Sequence, residues 1–328
     1  YEKAANFRFR ITEKTAGSIE FKCKYSSCLR ETGDITRAGK FVDEALEDLE
    51  IIDVHPYSLS TTYQTIGSAL IELGKPAQGE ELLTKAEKIE DERSGGEATM
   101  LQAANYNSRG ATYLAAGQYE KALECYQKCL DIRIKICGAG TEEDSLLIVA
   151  KYNIALAYNQ LGRREEALKY HFEILENFEK NRQNTERSSY EADSHCQIAQ
   201  LYIDIGKTGE AAEHVLKEIE VKKALNYSEM AIADARMKLG QIAMSQAEIA
   251  KGEQIYLECK AIFEKSNPQS NEYVSSLCAL GSCKYSQEDY VNAEKYWIES
   301  LKILEVTSPM SIDLAFAYTN MGHVYSKI

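Results

Sequence analysis

YNSRGATYLAAGQYEKALECY, residues 106–126, decides how the whole chain is read. Small and apolar side chains recur at helical spacing on both sides of Gly117, and Ala, Leu, Glu and Lys favour helix over strand. The stretch predicts a helix, a tight turn at the glycine, and a second helix. Gly110 in the first helix and Ala122 in the second lie twelve positions apart. Helix backbones approach closely only where side chains are small. The bulky Tyr126, four residues after Ala122, fills the remaining gap.

The same arrangement recurs along the chain. The second-helix small residue returns as Ala4, Ala38, Gly79, Ala122, Ala167, Ala211, Gly252 and Ala293, at spacings of 34 to 45 residues. Twelve residues before each from Ala38 onward lies its first-helix counterpart: Ser26, Gly67, Gly110, Ala155, Ala199, Gly240 and Gly281, with Gly322 continuing the series. Tyr113, Tyr158, Tyr202 and Tyr325 follow three residues later. Gly33, Gly74, Gly117, Gly162 and Gly206 mark the turns, which pass through Ala247 and Glu288 in two later copies. Leu83, Tyr126, Val215, Tyr256 and Trp297 occupy the large position, which is His171 in one copy and Arg8 in another. Lys284 stands in one copy where others have Tyr. Pro56, Pro268 and Pro309 fall between units, and Pro76 falls at the start of a second helix. Proline is tolerated at those places and not inside helices.

Small-x2-Tyr followed by Ala-x3-aromatic resembles the tetratricopeptide (TPR) repeat. The resemblance implies an all-α fold, a right-handed superhelical α-solenoid of helix-turn-helix repeats. It implies a single array over 1–328: residues 1–15 are the second helix of a truncated repeat, 16–310 hold seven repeats, and 311–328 are the first helix of another truncated repeat. Neither end then carries a polar capping helix. The repeats are lengthened, with extra residues at junctions such as 90–99, 137–145 and 180–191. SNPQSNEYVSSLCALG at 266–281 is similar to the junctions of kinesin light chain and nephrocystin-like arrays.

Charge narrows the function classes. The net charge is −13, and the closest basic run, Arg163-Arg164, is followed at once by Glu165-Glu166. A nucleic-acid or anionic-membrane partner needs a basic face, so neither is expected. No apolar run reaches the roughly 18 residues of a membrane-spanning helix. Nine cysteines without framework spacing point to reduced thiols and a cytoplasmic compartment. The family resemblance adds an association with the cytoskeleton or cilium.

Catalytic and ligand motifs are not found. CGAGT at 137–141 lacks the lysine of a phosphate loop. Cys125 with Cys129, and Cys278 with Cys283, are packed thiols rather than half of a four-ligand metal site. His195 and Cys196 are adjacent and point about 100° apart, so they cannot form a nucleophile pair, and the five histidines otherwise stand isolated. No metal, cofactor or catalytic residue is expected.

The first helices of the resembled fold line a concave groove. Helical phase places Asn107, Tyr152, Asn153, Gln160, Gln197, Gln200, Lys238 and Gln241 on that face. Amides both donate and accept, so they suit the backbone of a bound segment. The family's carboxylate clamp for chaperone tails maps to Asn107, Ala111, Asn153, Asp193 and Gln197. Only Asn153 fits it, and Asp193 would repel a carboxylate. Lys238 is nearly alone as a cation, against the basic groove that kinesin light chains use for acidic cargo. The resemblance thus implies a non-enzymatic protein–protein interaction scaffold or adaptor. Its alternatives are a permanent structural subunit of a large cytoskeletal, motor or ciliary assembly, and a regulatory arm of a larger enzyme or signalling protein.

Overall fold

The structure is a computed structural model, which describes residues 15–52, 54–137, 145–180, 187–308 and 311–327. Among these there are fifteen helices and no strand. They are α1 (Ala16–Glu31), α2 (Ile35–Ile51), α3 (Pro56–Glu72), α4 (Pro76–Ser94), α5 (Met100–Ala115), α6 (Tyr119–Cys137), α7 (Ser145–Gln160) and α8 (Arg164–Lys180). Then follow α9 (Ser189–Asp204), α10 (Thr208–Ala224), α11 (Glu229–Ser245), α12 (Ile249–Ser266), α13 (Asn271–Ser286), α14 (Tyr290–Thr307) and α15 (Ile312–Tyr325). Odd-numbered helices are the first helices of the repeats and even-numbered ones the second. The chain divides into two compact units, Tyr1–Tyr170 and His171–Ile328.

Local chemistry fixes where the helices start and stop. Thr15 and Thr99 open α1 and α5 with full capping boxes. Ser188, Ser228, Ser270 and Ser311 cap α9, α11, α13 and α15, each hydroxyl accepting a backbone N–H of the first turn. Pro76 begins α4 and Pro56 begins α3, where a missing N–H costs nothing. Pro268 lies in the turn after α12. Pro309, Arg8, most of junction 137–145 and part of junction 180–191 lie outside the described residues.

Every first-to-second turn is built the same way. Gly33, Gly74, Gly117, Gly162 and Gly206 take positive φ, and so do Ala247 at 60° and Glu288 at 62°. At each, the N–H of the next residue reaches back to a carbonyl five positions earlier, as from Gln118 to Tyr113 (2.8 Å) and from Asp289 to Lys284 (2.9 Å). This is the Schellman closure of a helix C-terminus. The turn therefore survives the loss of glycine, at the cost of two side chains in left-handed backbone.

Within the first unit, α1–α2, α3–α4 and α5–α6 are antiparallel pairs, α2 also packs on α3, and α6 on α7. Ile19, Val42, Ile66, Leu70 and Leu82 form part of its buried core. The second unit repeats the scheme with α9–α10, α11–α12 and α13–α14, and α15 packs on α14. Phe263 and Leu277 lie in one of its clusters, Trp297 and Leu304 in another.

The paired small residues set the closeness of each hairpin. A Cβ added to Gly110 would stand 2.6 Å from the Tyr126 ring. Added to Gly240 or Gly281, it would lie under 3.0 Å from Tyr256 or Trp297. Added to Gly67, it would lie 2.9 Å from the Gly79 carbonyl oxygen. The second-helix alanines Ala38, Ala122, Ala167, Ala211 and Ala293 are wholly buried. Trp297 adds an indole N–H bond to the Cys278 carbonyl at 3.2 Å. His171, at the large position of its copy, is wholly buried in the second unit with Nδ1 3.4 Å from Ser194 Oγ. Burial pushes its pKa down to about 4.

Three outcomes follow from this packing. Ala247→Gly and Glu288→Gly should each raise unfolding free energy in urea by about 1 kcal/mol, and Gly117→Ala should lower it by about as much. Gly281→Leu should cost about 1–3 kcal/mol and redden Trp297 emission as the indole is displaced. His171 stays neutral when folded but protonates near pH 6.5 when unfolded. Stability should hold above about pH 6.5 and fall by roughly 3 kcal/mol between there and pH 4, a slope that His171→Phe flattens on titration of the melting midpoint.

Candidate functional site

In the first unit, Asn107 on α5 and Asn153 on α7 are brought together on successive first helices. Asn153 Nδ2 donates to Asn107 Oδ1 at 2.8 Å. Both are half-buried, Tyr152 beside them is half-buried, and Gln160 is exposed near the end of α7. Of the residues that phase placed on one flank, Asn107 and Asn153 are in direct contact. On the same side of α1 and α3 lies a hollow of about 310 Å³ lined by Gly17, Glu20, Ser58, Thr61, Thr62 and Thr65. Sequence reasoning missed this hollow. The hydroxyl run at 60–62 was its only signal.

In the second unit, Gln241 is exposed and Gln197 half-buried, and Gln200 Nε2 donates to Asp204 Oδ1 at 2.8 Å. Lys238 behaves differently from a groove cation. Its Nζ lies 3.1 Å from Glu218 Oε2 and 3.0 Å from Cys196 Sγ. Glu218 is wholly buried and also receives Lys222 at 2.7 Å. Burial works against the Lys238 ammonium, but Cys196 and Glu218 outweigh it and raise its pKa. Asp193, close by, has its pKa raised by burial. Lys238 therefore serves this internal cluster.

Two further arrangements escaped the sequence. His195 and His214 are not isolated: their Nδ1 atoms are 2.9 Å apart, so one ring nitrogen donates and the other accepts. Phe172 and Tyr202 flank His214, whose pKa is lowered chiefly by burial. His195 and Cys196 do diverge, one toward α10 and the other toward α11. In the first unit, Arg109, Lys121 and Lys128 ring a cavity of about 200 Å³ whose walls include Tyr106 and Tyr113. Lys121 Nζ lies 5.6 Å from the Tyr113 ring centre, and Lys128 Nζ lies 5.1 Å from that of Tyr106.

Two buried thiols, Cys125 and Cys283, are held in the neutral form. Burial pushes Cys125 and Cys283 up to about 11, so neither is a thiolate at neutral pH. No group of three or more His, Cys, Asp or Glu that could hold a metal occurs among the described residues. None of the described helices is long and apolar enough to cross a membrane.

The tetratricopeptide repeat family matches residues 57–135 and 148–170. No curated protein matches the sequence. Among solved structures, the apo form of RapI superposes with a TM-score of 0.62 at 17% identity, covering 92% of this chain and 79% of that one. A Rap protein complexed with Competence and Sporulation Factor gives 0.52 at 16%, covering 94% and 88%. The nearly identical TPR-like repeats of a putative kinesin light chain from Podosopora anserina give 0.54 at 16%, covering 64% and 98%. These likenesses concern the fold. With its repeated small-residue pairs, identical turns and matched segments, the chain carries tetratricopeptide repeats in an all-α fold similar to that of kinesin light chain repeats.

Proposed function

We propose that this chain is a non-enzymatic scaffold or adaptor that grips a segment of a partner protein on the flank of its first helices. The observation that carries this reading is the Asn107–Asn153 amide pair, which joins two successive first helices on a half-buried surface. An amide ladder of that kind offers donors and acceptors to an extended backbone without demanding a charge. The hydroxyl-lined hollow between α1 and α3 extends the same chemistry. The likeness to a Rap protein solved with Competence and Sporulation Factor supports a binding role for such a fold. Gln197, Gln200 and Gln241 offer similar amides in the second unit, and we read 1–328 as one array of seven repeats between two partial ones.

A second reading is a subunit of a large assembly, of cytoskeletal, motor or ciliary kind in the cytoplasm. The exposed Leu216 and Leu257 on second helices favour it, because large apolar side chains in water mark contact surfaces.

Asn107→Ala with Asn153→Ala should leave the melting midpoint within a few degrees. It should weaken the partner recovered by affinity capture at least about tenfold in a titration with that purified partner. Because the Asn107–Asn153 pair is uncharged, affinity should change little between about 0.05 and 0.5 M salt. The same partners held with the same affinity by wild type and double variant would sink the groove reading.

A further inference from the structure

Successive first helices meet through one register. Asn107 lies three residues before Gly110 and Asn153 two before Ala155, and their amides meet at 2.8 Å. In the second unit Cys196 lies three residues before Ala199 and Lys238 two before Gly240. There the same contact joins Lys238 Nζ to Cys196 Sγ at 3.0 Å. One register thus carries an unreactive amide pair in the first unit and an amine facing a thiol in the second. Once oxidised, a cysteine sulfur is an electrophile, and an amine beside it is the nucleophile that can close on it.

The surroundings single this thiol out. Cys259 Sγ points at the Ala233 carbonyl (3.4 Å) and Cys283 Sγ at Met244 Sδ (3.3 Å), and neither partner is an amine. Those two cysteines are buried, whereas Cys196 is half-buried, so a small oxidant can approach it. Burial raises the pKa of the Cys196 thiol, and Lys238 and Lys222 work against that rise. Glu218 Oε1 and Oε2 lie 3.3 and 3.1 Å from Lys238 Nζ, so a base stands beside the ammonium. Lys222 holds the same carboxylate at 2.7 Å, so Glu218 keeps a partner when Lys238 loses its charge.

We propose that Cys196 and Lys238 form an oxidation site at which hydrogen peroxide joins α9 to α11 by a sulfur–nitrogen (sulfenamide) bond. The Cys196 sulfur first takes one peroxide oxygen. The O–O bond breaks, the sulfur becomes a sulfenic acid, and the second oxygen leaves as water. Lys238 then passes a proton to Glu218, and its free amine attacks the sulfur. The S–N bond forms, the S–O bond breaks, and the hydroxyl leaves as water with an amine proton, while Glu218 returns its proton to solvent. Two thiol molecules reverse the link, restoring thiol and amine and leaving as a disulfide. The link removes the Lys238 ammonium and fixes the spacing of two successive first helices. It stands whether or not the amide flank binds a partner.

The test treats the 328-residue protein with about 1 mM hydrogen peroxide at about pH 8, blocks remaining thiols, and digests with trypsin without reductant. Residues 188–207 should be recovered joined to residues 237–251, uncut after Lys238 and about 2 Da below the sum of the two peptides, methionine sulfoxide apart. Dithiothreitol should separate them. The yield should rise at least about threefold from pH 7 to pH 9, as thiol and amine lose protons. Lys238→Arg keeps a cation beside Glu218 but offers no amine of ordinary basicity. It should abolish the link and let Cys196 run on to sulfinic acid at the same peroxide dose, with circular dichroism unchanged. Cys196 recovered from wild type as a free thiol, a sulfinic acid or a disulfide, with Lys238 cut normally, overturns the proposal. A linked pair about 14 Da above the sum would carry an oxygen between sulfur and nitrogen and overturn the direct bond.

Discussion

The closeness of the two helices in each hairpin is the constraint on which the rest depends. It is set by a small residue on one helix facing a small residue on the other, with a large side chain wedged over the contact. Gly110 with Tyr126, Gly240 with Tyr256, and Gly281 with Trp297 are three instances of one joint. Once the backbones are that close, side chains from the second helix reach the next first helix, and a core forms from neighbour contacts alone. Each unit is stable as a sum of such joints, so the flank left over is free to carry polar groups.

The turn is the second fixed element. Its left-handed residue aims the second helix back along the first, and at Gly117, Gly162 and Gly206 the carbonyl that closes the Schellman bond belongs to a tyrosine. Arg163 lies 4.7 Å from the Tyr158 ring centre and Lys207 lies 5.6 Å from that of Tyr202. Ala247 and Glu288 keep the same geometry without glycine because the joints on either side of the turn hold it.

Much of this was legible in the residues, for a physical reason. Small residues, turn residues and prolines act locally, so their spacing reveals the repeat, its boundaries and which face of each helix is buried. That Asn107 and Asn153 face the same flank was legible in the same way, three residues before Gly110 and two before Ala155, whereas their contact was not. What was not legible depends on long side chains and on contacts between helices. Lys238 has the phase of the open flank, but its four-carbon stem carries the ammonium back to Glu218. His195 and His214 come from helices whose relative rotation no spacing encodes.

Glu218 has a consequence beyond its own ion pairs. The same position in other copies holds Ala45, Ala86, Cys129, Ile174, Cys259 and Ser300, all buried and none carrying a carboxylate. An array of near-equivalent hairpins can in principle stack in the wrong order, because each joint accepts any other. Misplaced, Glu218 would be buried against a neighbour without Lys238, with only Lys222 of its own helix left to answer it, and a buried carboxylate short of a partner is penalised. The carboxylate works as an address label, making α10 and α11 neighbours by charge where shape alone would allow a stranger.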